Sequence, residues 1–565
     1  MENKSEEVHP GVIQAAGDLQ KGNMDRREFL RVATLLGLSL PLAGKMAMDI
    51  TGLSDDPVVG TAKAAKKKRG GTLRVSMQIQ EMTDPAKFDW TEKSNVARQV
   101  VEYLTFTGPD NITRPYLCER WKASKDLKTW TLYLRKGVKW NNGDDFTADD
   151  VVYNFKRWLD PKTGSSNQGL FSSMITETDT GKKDKKGKPI ISKTMTPGAV
   201  TKKDKHTVVL KLNRAELAIP ENLYNYPTAI VHRDFDKQGA NLSKNPIGTG
   251  PFELKEFRVG QKAVLKRRKD YWGKPVYLDG ITYIDHGDEA NAGLAALASG
   301  QVDAVHEMFV EQLDVVKRMK NVNLYETITA QTGVARMQVD QKPFDDVRVR
   351  QAVRLCQDHK RLRELAYRGR GAEAQDHHVA PIHPEYSKMP TPKQDHAKAK
   401  KLLAQAGYKD GIDLKIDVKK EPPWELAAMQ AFAEQCKPAG INLKINLLPN
   451  AQFWEIWDKT AFGFTAWTHR PLGVMVLNLA YRSGVPWNET HYANPKFDKL
   501  LDKAGSELDV KKRRKHMAKL QKMLQDDAII AQPLWRSVFT AAGKNVQGFN
   551  VHPTLYHQFN EVSLA

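Results

Sequence analysis

Residues 119–158, ERWKASKDLKTWTLYLRKGVKWNNGDDFTADDVVYNFKRW, form the stretch that decides the fold. Trp130, Leu132 and Leu134 alternate with less apolar residues, which is the period of two expected of a strand with one buried face. Asn142-Gly143 follows as a turn dipeptide. The first half of the stretch therefore predicts a strand followed by a tight turn.

The second half has the features of a capped helix. Thr147 stands at the N-cap position and Asp150 follows three residues later, in the arrangement of a capping box. Pro161 predicts the end of the helix, because proline cannot donate the backbone hydrogen bond that a helix needs. Between these residues, apolar side chains recur at helical spacing: Val151, Phe155, Trp158 and Leu159.

Similar patterns extend over the rest of the chain. They predict strands over 71–77, 301–305 and 441–447, and helices over 293–298, 395–406, 425–437 and 511–524. Mixed strands and helices indicate an α/β or α+β architecture. At 565 residues the chain exceeds the size that one hydrophobic core usually serves, so two or more domains are expected.

The decisive stretch resembles the family 5 extracytoplasmic solute-binding proteins, which are the dipeptide-, oligopeptide- and nickel-binding components of ABC importers. The similarity lies in a strand with tryptophan, an LRKGVKW turn and an FTADDV helix start. Five more blocks follow in the order of the family: NPIGTGPFELKEF (245–257), LKRRKDYWGKPVYLDGITY (265–283), LAALASGQVDAV (294–305), PFDDVRVRQAV (343–353) and KAKKLLAQAGY (398–408).

The resemblance implies a two-lobe α/β fold of the periplasmic-binding-protein type, with the ligand cleft between the lobes. It also implies the extra subdomain of the peptide-binding branch. The expected division is an export signal and linker at 1–65, lobe I at 70–330 with the extra subdomain at about 104–245, lobe II at 331–533, and a C-terminal return to lobe I at 534–565.

The N-terminus has the pattern of an export signal. Arg26-Arg27 and Phe29-Leu30 precede an apolar run over 32–44, which is too short to span a bilayer. This pattern predicts twin-arginine export, a periplasmic mature protein, and cleavage between residues 45 and 66, where Ala62-Lys63-Ala64 offers a small-residue site. The alternative is a basic turn before a core helix, which the glycine and proline in the run disfavour.

The net charge of +20 does not indicate a nucleic-acid partner. Lysines concentrate at 66–69, 182–188 and 202–205, where no aromatic residues alternate with them for base stacking. These segments are predicted to be solvated loops. The three cysteines are widely separated and follow no metal or redox spacing, so they are predicted to be buried free thiols: Cys118, Cys356 and Cys436.

Catalysis and metal binding find little support in the sequence. No G-x-S-x-G, H-E-x-x-H, P-loop or G-x-G-x-x-G motif is present, so an enzyme is not expected and no cofactor is implied. His377, His378 and His383 suggest a metal or haem site, since some relatives bind nickel complexes or haem. Their spacing matches no recognised ligand pattern, which favours a solvated loop.

The segment 461–483 matches the part of the family in which a tryptophan is followed by an aspartate. In peptide binders that aspartate pairs with the α-ammonium group of the ligand, whereas this chain has Arg470 at or beside the acidic position. A guanidinium forms bidentate hydrogen bonds to carboxylate or phosphate, so an Arg470 that faces the cleft predicts an anionic group on the ligand. The alternative is that Arg470 pairs with a lobe II carboxylate and supports the loop.

Other candidate contacts follow from the same resemblance. Trp467 matches the tryptophan of the family, and His469 lies beside Arg470. Lys419, with its neighbour Lys420, lies near the position from which relatives offer an arginine to a ligand carboxylate. The remaining candidates are aromatic residues that border the cleft in relatives, and a crossing segment whose backbone offers hydrogen bonds to an extended ligand: Trp424, Phe453, Trp454, Thr332, Gly333 and Val334.

These observations predict a periplasmic substrate-binding component of an ABC transporter. It captures a peptide or peptide-like solute by lobe closure and delivers it to membrane permease subunits, and it is expected to be a monomer. The alternative ligand is a non-peptide organic anion, such as an opine or an acidic sugar derivative. An exported hydrolase and a sensory receptor are the remaining function classes.

Overall fold

A computed structural model describes residues 8–51, 67–183, 189–287, 289 and 291–565. The predicted cleavage site at Ala62-Lys63-Ala64 lies outside the described residues, as do Lys66 and the part of the lysine-rich segment at 184–188.

The described residues form sixteen α-helices, several short 3-10 helices and twenty-two strands. The helices are α1 Pro10–Gln20, α2 Arg26–Leu35, α3 Leu40–Thr51, α4 Thr91–Val100, α5 Ala148–Leu159, α6 Ile219–Asn222, α7 Ala292–Ala298, α8 Leu313–Val316, α9 Val347–Leu355, α10 His359–Tyr367, α11 His396–Gln405, α12 Pro423–Cys436, α13 Asn450–Ile456, α14 Gly473–Ala480, α15 Pro495–Ser506 and α16 Val510–Asp527. The strands are β1 Thr72–Ser76, β2 Thr105–Thr107, β3 Thr113–Pro115, β4 Cys118–Ala123, β5 Thr129–Leu134, β6 Ile175–Lys183, β7 Pro189–Met195, β8 Val200–Asp204, β9 Thr207–Lys211, β10 Phe252–Arg258, β11 Lys262–Arg267, β12 Gly280–Ile284, β13 Ala304–Met308, β14 Val322–Met337, β15 Ala372–Glu373, β16 Ile412–Lys419, β17 Ile441–Leu448, β18 Phe462–Trp467, β19 Ile530–Ala531, β20 Leu534–Gly543, β21 Val546–Gln547 and β22 Ser563–Leu564.

The decisive stretch folds as its sequence predicts. In β5 the side chains of Trp130, Leu132 and Leu134 are buried and alternate with half-buried neighbours. The capping box of α5 forms, because the Asp150 carboxylate accepts the backbone N–H of Thr147 at 2.8 Å and the Thr147 hydroxyl accepts a backbone N–H of the first turn. The other predicted helices and strands are confirmed within a few residues of their expected bounds.

One sheet runs through the whole molecule. Within the described part of the chain it has twelve strands, in the order β10-β11-β12-β1-β13-β20-β14-β18-β16-β17, with β15 beside β20 and β19 beside β14. Strands of predicted lobe I occupy one end of this order and strands of predicted lobe II the other. The two regions are joined by β14 and β20, which pair antiparallel from Val322↔Gly543 to Thr332↔Trp535.

A smaller sheet lies within predicted lobe I. It has the order β4-β5-β9-β8, and α5 packs against it through β8 and β9. Its apolar core is shared with α14 and with the N-terminal helices. Two further apolar cores pack against the large sheet: one lies within predicted lobe I and the C-terminal residues, and the other joins α7, β13 and α8 of predicted lobe I to the helices of predicted lobe II. The small sheet falls within 104–245, where the resemblance implies an extra subdomain.

The N-terminal segment is helical and packed against the rest of the chain. The Trp121 indole donates to the Leu35 carbonyl at 2.7 Å, and Glu28 pairs with Arg514 at 3.1 Å. Gly37 has a positive φ of 95°, and a Cβ there would lie 2.4 Å from the Trp121 carbonyl oxygen. This is the core-helix arrangement that the sequence disfavours, and it arises because Phe29 and its apolar neighbours complete the core beside Trp121.

Two further findings concern the cysteines and the apolar character of the helices. Cys118, Cys356 and Cys436 are buried free thiols, as predicted. Among the residues that the structure describes, no helix has both the length and the apolar character required to cross a membrane.

Candidate functional site

A cavity lies where the predicted lobes meet. Trp90 approaches from lobe I and Trp454 from lobe II, with ring centroids 5.4 Å apart. Most of the wall is aromatic, which suits a ligand with flat or apolar groups. The lining consists of Asp89, Trp90, Tyr226, Trp454, Trp457, Thr465, Ala466, Trp467, Thr468, Arg470 and Trp487.

Trp467 is fixed in this wall by a buried glutamate. Its indole N–H donates to Glu489 Oε1 at 2.7 Å, and the hydroxyl of Thr465 donates to Glu489 Oε2 at 2.6 Å. The fully buried guanidinium of Arg336 pairs with the same carboxylate at 3.0 Å. Because both residues lie on neighbouring strands β14 and β18, the indole has little freedom to rotate away from the cavity.

Arg470 is buried at the boundary of this cavity, with 2% of its surface exposed. Its Nη1 donates to the carbonyls of Thr468 and His469 and to the Thr468 hydroxyl. Its Nε and Nη2 have no hydrogen-bond partner, and no carboxylate pairs with it among the described residues. The guanidinium carbon lies 5.2 Å from the ring centre of Tyr226. The alternative of a supporting lobe II carboxylate is therefore wrong for this structure.

A second cavity lies on the other side of Arg470. It is bounded by predicted lobe I, by the loop after β18 and by the C-terminal residues. Its lining consists of Thr107, Asn111, Glu221, Tyr224, Asn225, His469, Arg470, Pro471, Met475, His552, Thr554 and Tyr556.

His469 lines the second cavity, but both of its ring nitrogens have partners. Nδ1 accepts a hydrogen bond from the backbone N–H of Ala330 at 3.0 Å, and Nε2 lies 2.9 Å from Asn111 Oδ1. Burial holds its pKa well below the ordinary value, so the ring is neutral. The structure gives His469 the role of fixing the loop that carries Arg470.

Two of the predicted aromatic contacts lie away from the cavity wall. Trp424 is buried between Tyr367 and Phe464, with ring centroids 5.7 Å away on each side. Phe453 is fully buried beside Trp454. Both are core residues here, because the apolar interior of lobe II encloses them, whereas Trp454 reaches the cavity.

Lys419 is also placed away from the cavities. Its ammonium group is buried in an ion pair with Glu425 and lies 5.9 Å from the Trp454 ring centre. Lys420 is exposed. Lys419 therefore does not present a free charge to a ligand, which corrects the predicted role, because a buried ammonium requires the partner that Glu425 provides.

The segment from Thr332 to Val334 lies inside the large sheet. Thr332 is paired with Trp467 of β18 on one side and Trp535 of β20 on the other. Its hydroxyl donates to the Leu534 carbonyl. All three residues pair with β18, from Thr332↔Trp467 to Val334↔Thr465, and the pairing of this backbone with an extended ligand stays a prediction.

The three clustered histidines are buried rather than solvated. His383 bonds through Nε2 to the Arg470 carbonyl at 2.9 Å, and His378 lies 3.2 Å from the Tyr481 hydroxyl. Burial lowers the pKa of His377 and of His383 to about 4, so both rings are neutral near pH 7. The predicted solvated loop is wrong, and no metal-binding cluster of His, Cys, Asp and Glu occurs among the described residues.

Several lining residues had no signal in the sequence. Trp90, Tyr226, Trp457 and Trp487 come from four distant parts of the chain and share no motif. Glu221 and Asn225 lie around a short helix that lacks a recognisable pattern. Their common position results from tertiary packing, which local periodicity does not report.

Comparison with known proteins places these features in a family. The sequence model of the bacterial extracellular solute-binding proteins, family 5 Middle, matches residues 113–484. The dipeptide-binding protein DppE of Bacillus subtilis is 26% identical over 564 residues, covering 93% of this chain and 98% of the relative. The dipeptide-binding protein of Escherichia coli is 27% identical over 482 residues, covering 80% and 86%.

Solved structures share the same fold. The oligopeptide-binding protein AppA of Bacillus subtilis, in complex with a nonapeptide, superposes with a TM-score of 0.75 at 22% identity, covering 88% of this chain and all of the neighbour. AgaA of A. tumefaciens R10, in complex with agropinic acid, superposes with a TM-score of 0.77 at 22% identity, covering 88% and 99%.

Proposed function

Because the chain belongs to the bacterial extracellular solute-binding proteins of family 5, we propose that it is the substrate-binding component of an ABC importer for a peptide or peptide-like solute. Relatives named as dipeptide- and oligopeptide-binding proteins support this proposal. Under it, the protein is a non-catalytic monomer that reaches the periplasm by the twin-arginine route and delivers its solute to membrane permease subunits.

The observation that carries the proposal is the arrangement around Arg470. A buried guanidinium costs free energy unless a negative group neutralises it. Two of its nitrogens point to no partner in the described structure, at the boundary of an aromatic cavity. A ligand carboxylate placed there would accept both N–H groups, while Trp467 and Trp487 would pack against its apolar parts.

Lobe closure would convert this binding into a signal. β14 and β20 connect the two regions of the large sheet, and Trp90 meets Trp454 across the cavity. A ligand that contacts both lobes favours the closed form by its differential affinity for the two forms. The closed form is then the state that the permease recognises.

A second candidate ligand is a non-peptide organic anion. Arg470 stands at or beside the position of the acidic residue that the family uses for a peptide ammonium group, and AgaA shows the same fold with agropinic acid. Both candidates require an anionic group at Arg470 and differ in the rest of the ligand.

The test is native mass spectrometry of the protein purified from its own host, followed by calorimetric titration with the solute that co-purifies. A bound peptide or peptide-like acid supports the proposal, and a bound non-peptide anion supports the second candidate. Both fail if the binding site is empty and the protein ignores mixtures of peptides and of organic acids.

A further inference from the structure

We infer that the face of the molecule formed by α8, α10 and β14 docks on an anionic membrane surface, where its cations meet lipid phosphate groups. This inference goes beyond the proposed function, because it concerns an outer surface and not the ligand. The α8–α10 face consists of the exposed and half-buried residues of 311–320, 326–328 and 360–370. None of these residues lines either cavity.

The outer side of α10 combines cations with a leucine. Lys360, Arg361, Leu365 and Arg368 are exposed and recur at helical spacing, whereas Leu362 on the inner side is fully buried. Leu365 therefore stands among positive charges at the surface rather than in the core. Apolar side chains accompanied by Lys and Arg are typical of helices that lie at a membrane surface.

Two ion pairs make α8, α10 and β14 one continuous face. Arg368 pairs with Asp314 of α8 at 3.0 Å, and Arg370, just after α10, pairs with Glu326 of β14 at 3.1 Å. Ile328 points to the same side of β14 as Glu326, because alternate residues of a strand share a side. The pairs therefore bring the exposed parts of the three elements together.

Exposed apolar side chains are concentrated on this face. Among the described residues, five large apolar side chains have more than half of their surface exposed. Three of the five lie here: Val315 at 52%, Ile328 at 67% and Leu365 at 51%. Their exposure to water costs free energy, which a partner that covers them recovers.

The face also carries an excess of positive charge. Its eight Lys and Arg side chains stand against four carboxylates. Three of these carboxylates already pair with arginines of the face, the third pair being Arg361 with Glu364 at 3.4 Å. Lys317 and Lys360 add charge beyond these pairs. The complementary partner is therefore anionic, which agrees with the net charge of +20 for the whole chain.

Phospholipid headgroups match this face better than a protein partner does. The centre of a protein–protein interface is depleted of charge and enriched in aromatic side chains, whereas Val315 and Leu365 have cations within one turn of the chain. Lipid phosphates can move to each cation. The exposed apolar side chains can then enter the boundary between headgroups and acyl chains.

The test is co-sedimentation of the purified full chain with vesicles, one set made of phosphatidylcholine alone and one with about 30% phosphatidylglycerol added. At about 0.05 M salt we expect the wild type to bind the anionic vesicles at least about tenfold more tightly than the neutral ones. Most of this difference should disappear at about 0.5 M salt, because salt screens the attraction.

Two variants test whether this face is responsible. Lys317→Gln combined with Lys360→Gln removes two cations and leaves the three ion pairs of the face in place. It should weaken binding to the anionic vesicles by about tenfold or more. Leu365→Ser removes an exposed apolar side chain and should weaken the same binding by about fivefold.

Lys122→Gln combined with Lys203→Gln is the matched control, because both lysines are exposed on the smaller sheet. It should weaken binding by less than about threefold. Equal binding of the wild type to neutral and anionic vesicles, or binding to neither, overturns the inference. A control that weakens binding as much as the variant at the face also overturns it. None of these outcomes bears on the peptide proposal, which native mass spectrometry tests separately.

Discussion

Arg470 holds a charge that the described part of the protein does not neutralise. Its supporting bonds come from carbonyl and hydroxyl oxygens of its own loop, and His383 holds the Arg470 carbonyl in turn. A charged group kept in this state is unfavourable for the empty protein and favourable for the complex with an anion. We therefore propose that binding, rather than stability, accounts for an arginine at this position.

Replacement of Arg470 by methionine tests whether the arginine stabilises the fold. We expect Arg470→Met to unfold at the same temperature as the ligand-free wild type or at a higher one, because it removes a buried charge while it keeps most of the side-chain volume. Thermal unfolding of the two proteins by circular dichroism is the measurement. A loss of more than about 2 kcal/mol in unfolding free energy would show that Arg470 stabilises the fold.

Glu221 makes a prediction about pH. Its pKa is raised to about 8 in the folded protein, above the value near 4.5 of a free glutamate, so its neutral form favours folding at low pH and its ionisation opposes folding as the pH rises toward 8. Glu221→Gln should therefore match the wild type at pH 5 and exceed it at pH 8. The difference in unfolding free energy should grow by on the order of 1 kcal/mol per pH unit between these values. Denaturant unfolding at both pH values checks this, and a constant difference would contradict it.

At the scale of elements, strands β14 and β18 form the rigid wall of the aromatic cavity. Glu489 connects them, because it accepts from Thr465 and Trp467 of β18 and pairs with Arg336 of β14. All of these groups are buried, so the Glu489 carboxylate is the group that neutralises the charge of Arg336.

Glu489→Gln should weaken this wall. The change leaves Arg336 as an uncompensated buried charge, which is expected to cost about 3 to 5 kcal/mol of unfolding free energy. Denaturant unfolding gives the magnitude, and tryptophan fluorescence reports whether the Trp467 environment changes. Asp340→Asn, at a partly exposed carboxylate that pairs with His491, is the matched control. An equal loss in both variants would contradict the special role of Glu489.

Elements with strong local signals could be predicted from the sequence, and those set by distant contacts could not. The alternation in β5 and the cap of α5 depend on neighbours in sequence, and both formed as expected. Trp467 and Arg470 could be placed near the cleft through the family segment they share. Lys419 could not be placed correctly, because Glu425 forms an ion pair with it only once β16 and α12 pack together. Glu221 and Trp487 reach the cavities through tertiary packing alone.

At the scale of the whole molecule, the ligand cavity depends on the relative position of the two regions of the large sheet. Only β14 and β20 pass between these regions in the described structure, and the aromatic contact of Trp90 with Trp454 closes the cavity. The arrangement is suited to hinge motion about the two strands.

Small-angle X-ray scattering should detect this motion. We expect the ligand-free full chain to have a larger radius of gyration than the structure described above, and saturation with the co-purifying solute to reduce it to the value of this structure. Arg470→Gln at the same solute concentration should remain in the larger form. A radius of gyration that the solute leaves unchanged in the wild type would contradict lobe closure.

The most direct measurement compares a charged ligand with its neutral derivative at Arg470. The co-purifying solute and the same solute with its anionic group amidated are titrated calorimetrically into the wild type and into Arg470→Gln. Amidation should weaken binding to the wild type by about a hundredfold or more, and should change binding to Arg470→Gln by less than about threefold. Equal affinity of the wild type for both compounds, or a full amidation penalty that persists in Arg470→Gln, would show that Arg470 does not receive the anionic group of the ligand.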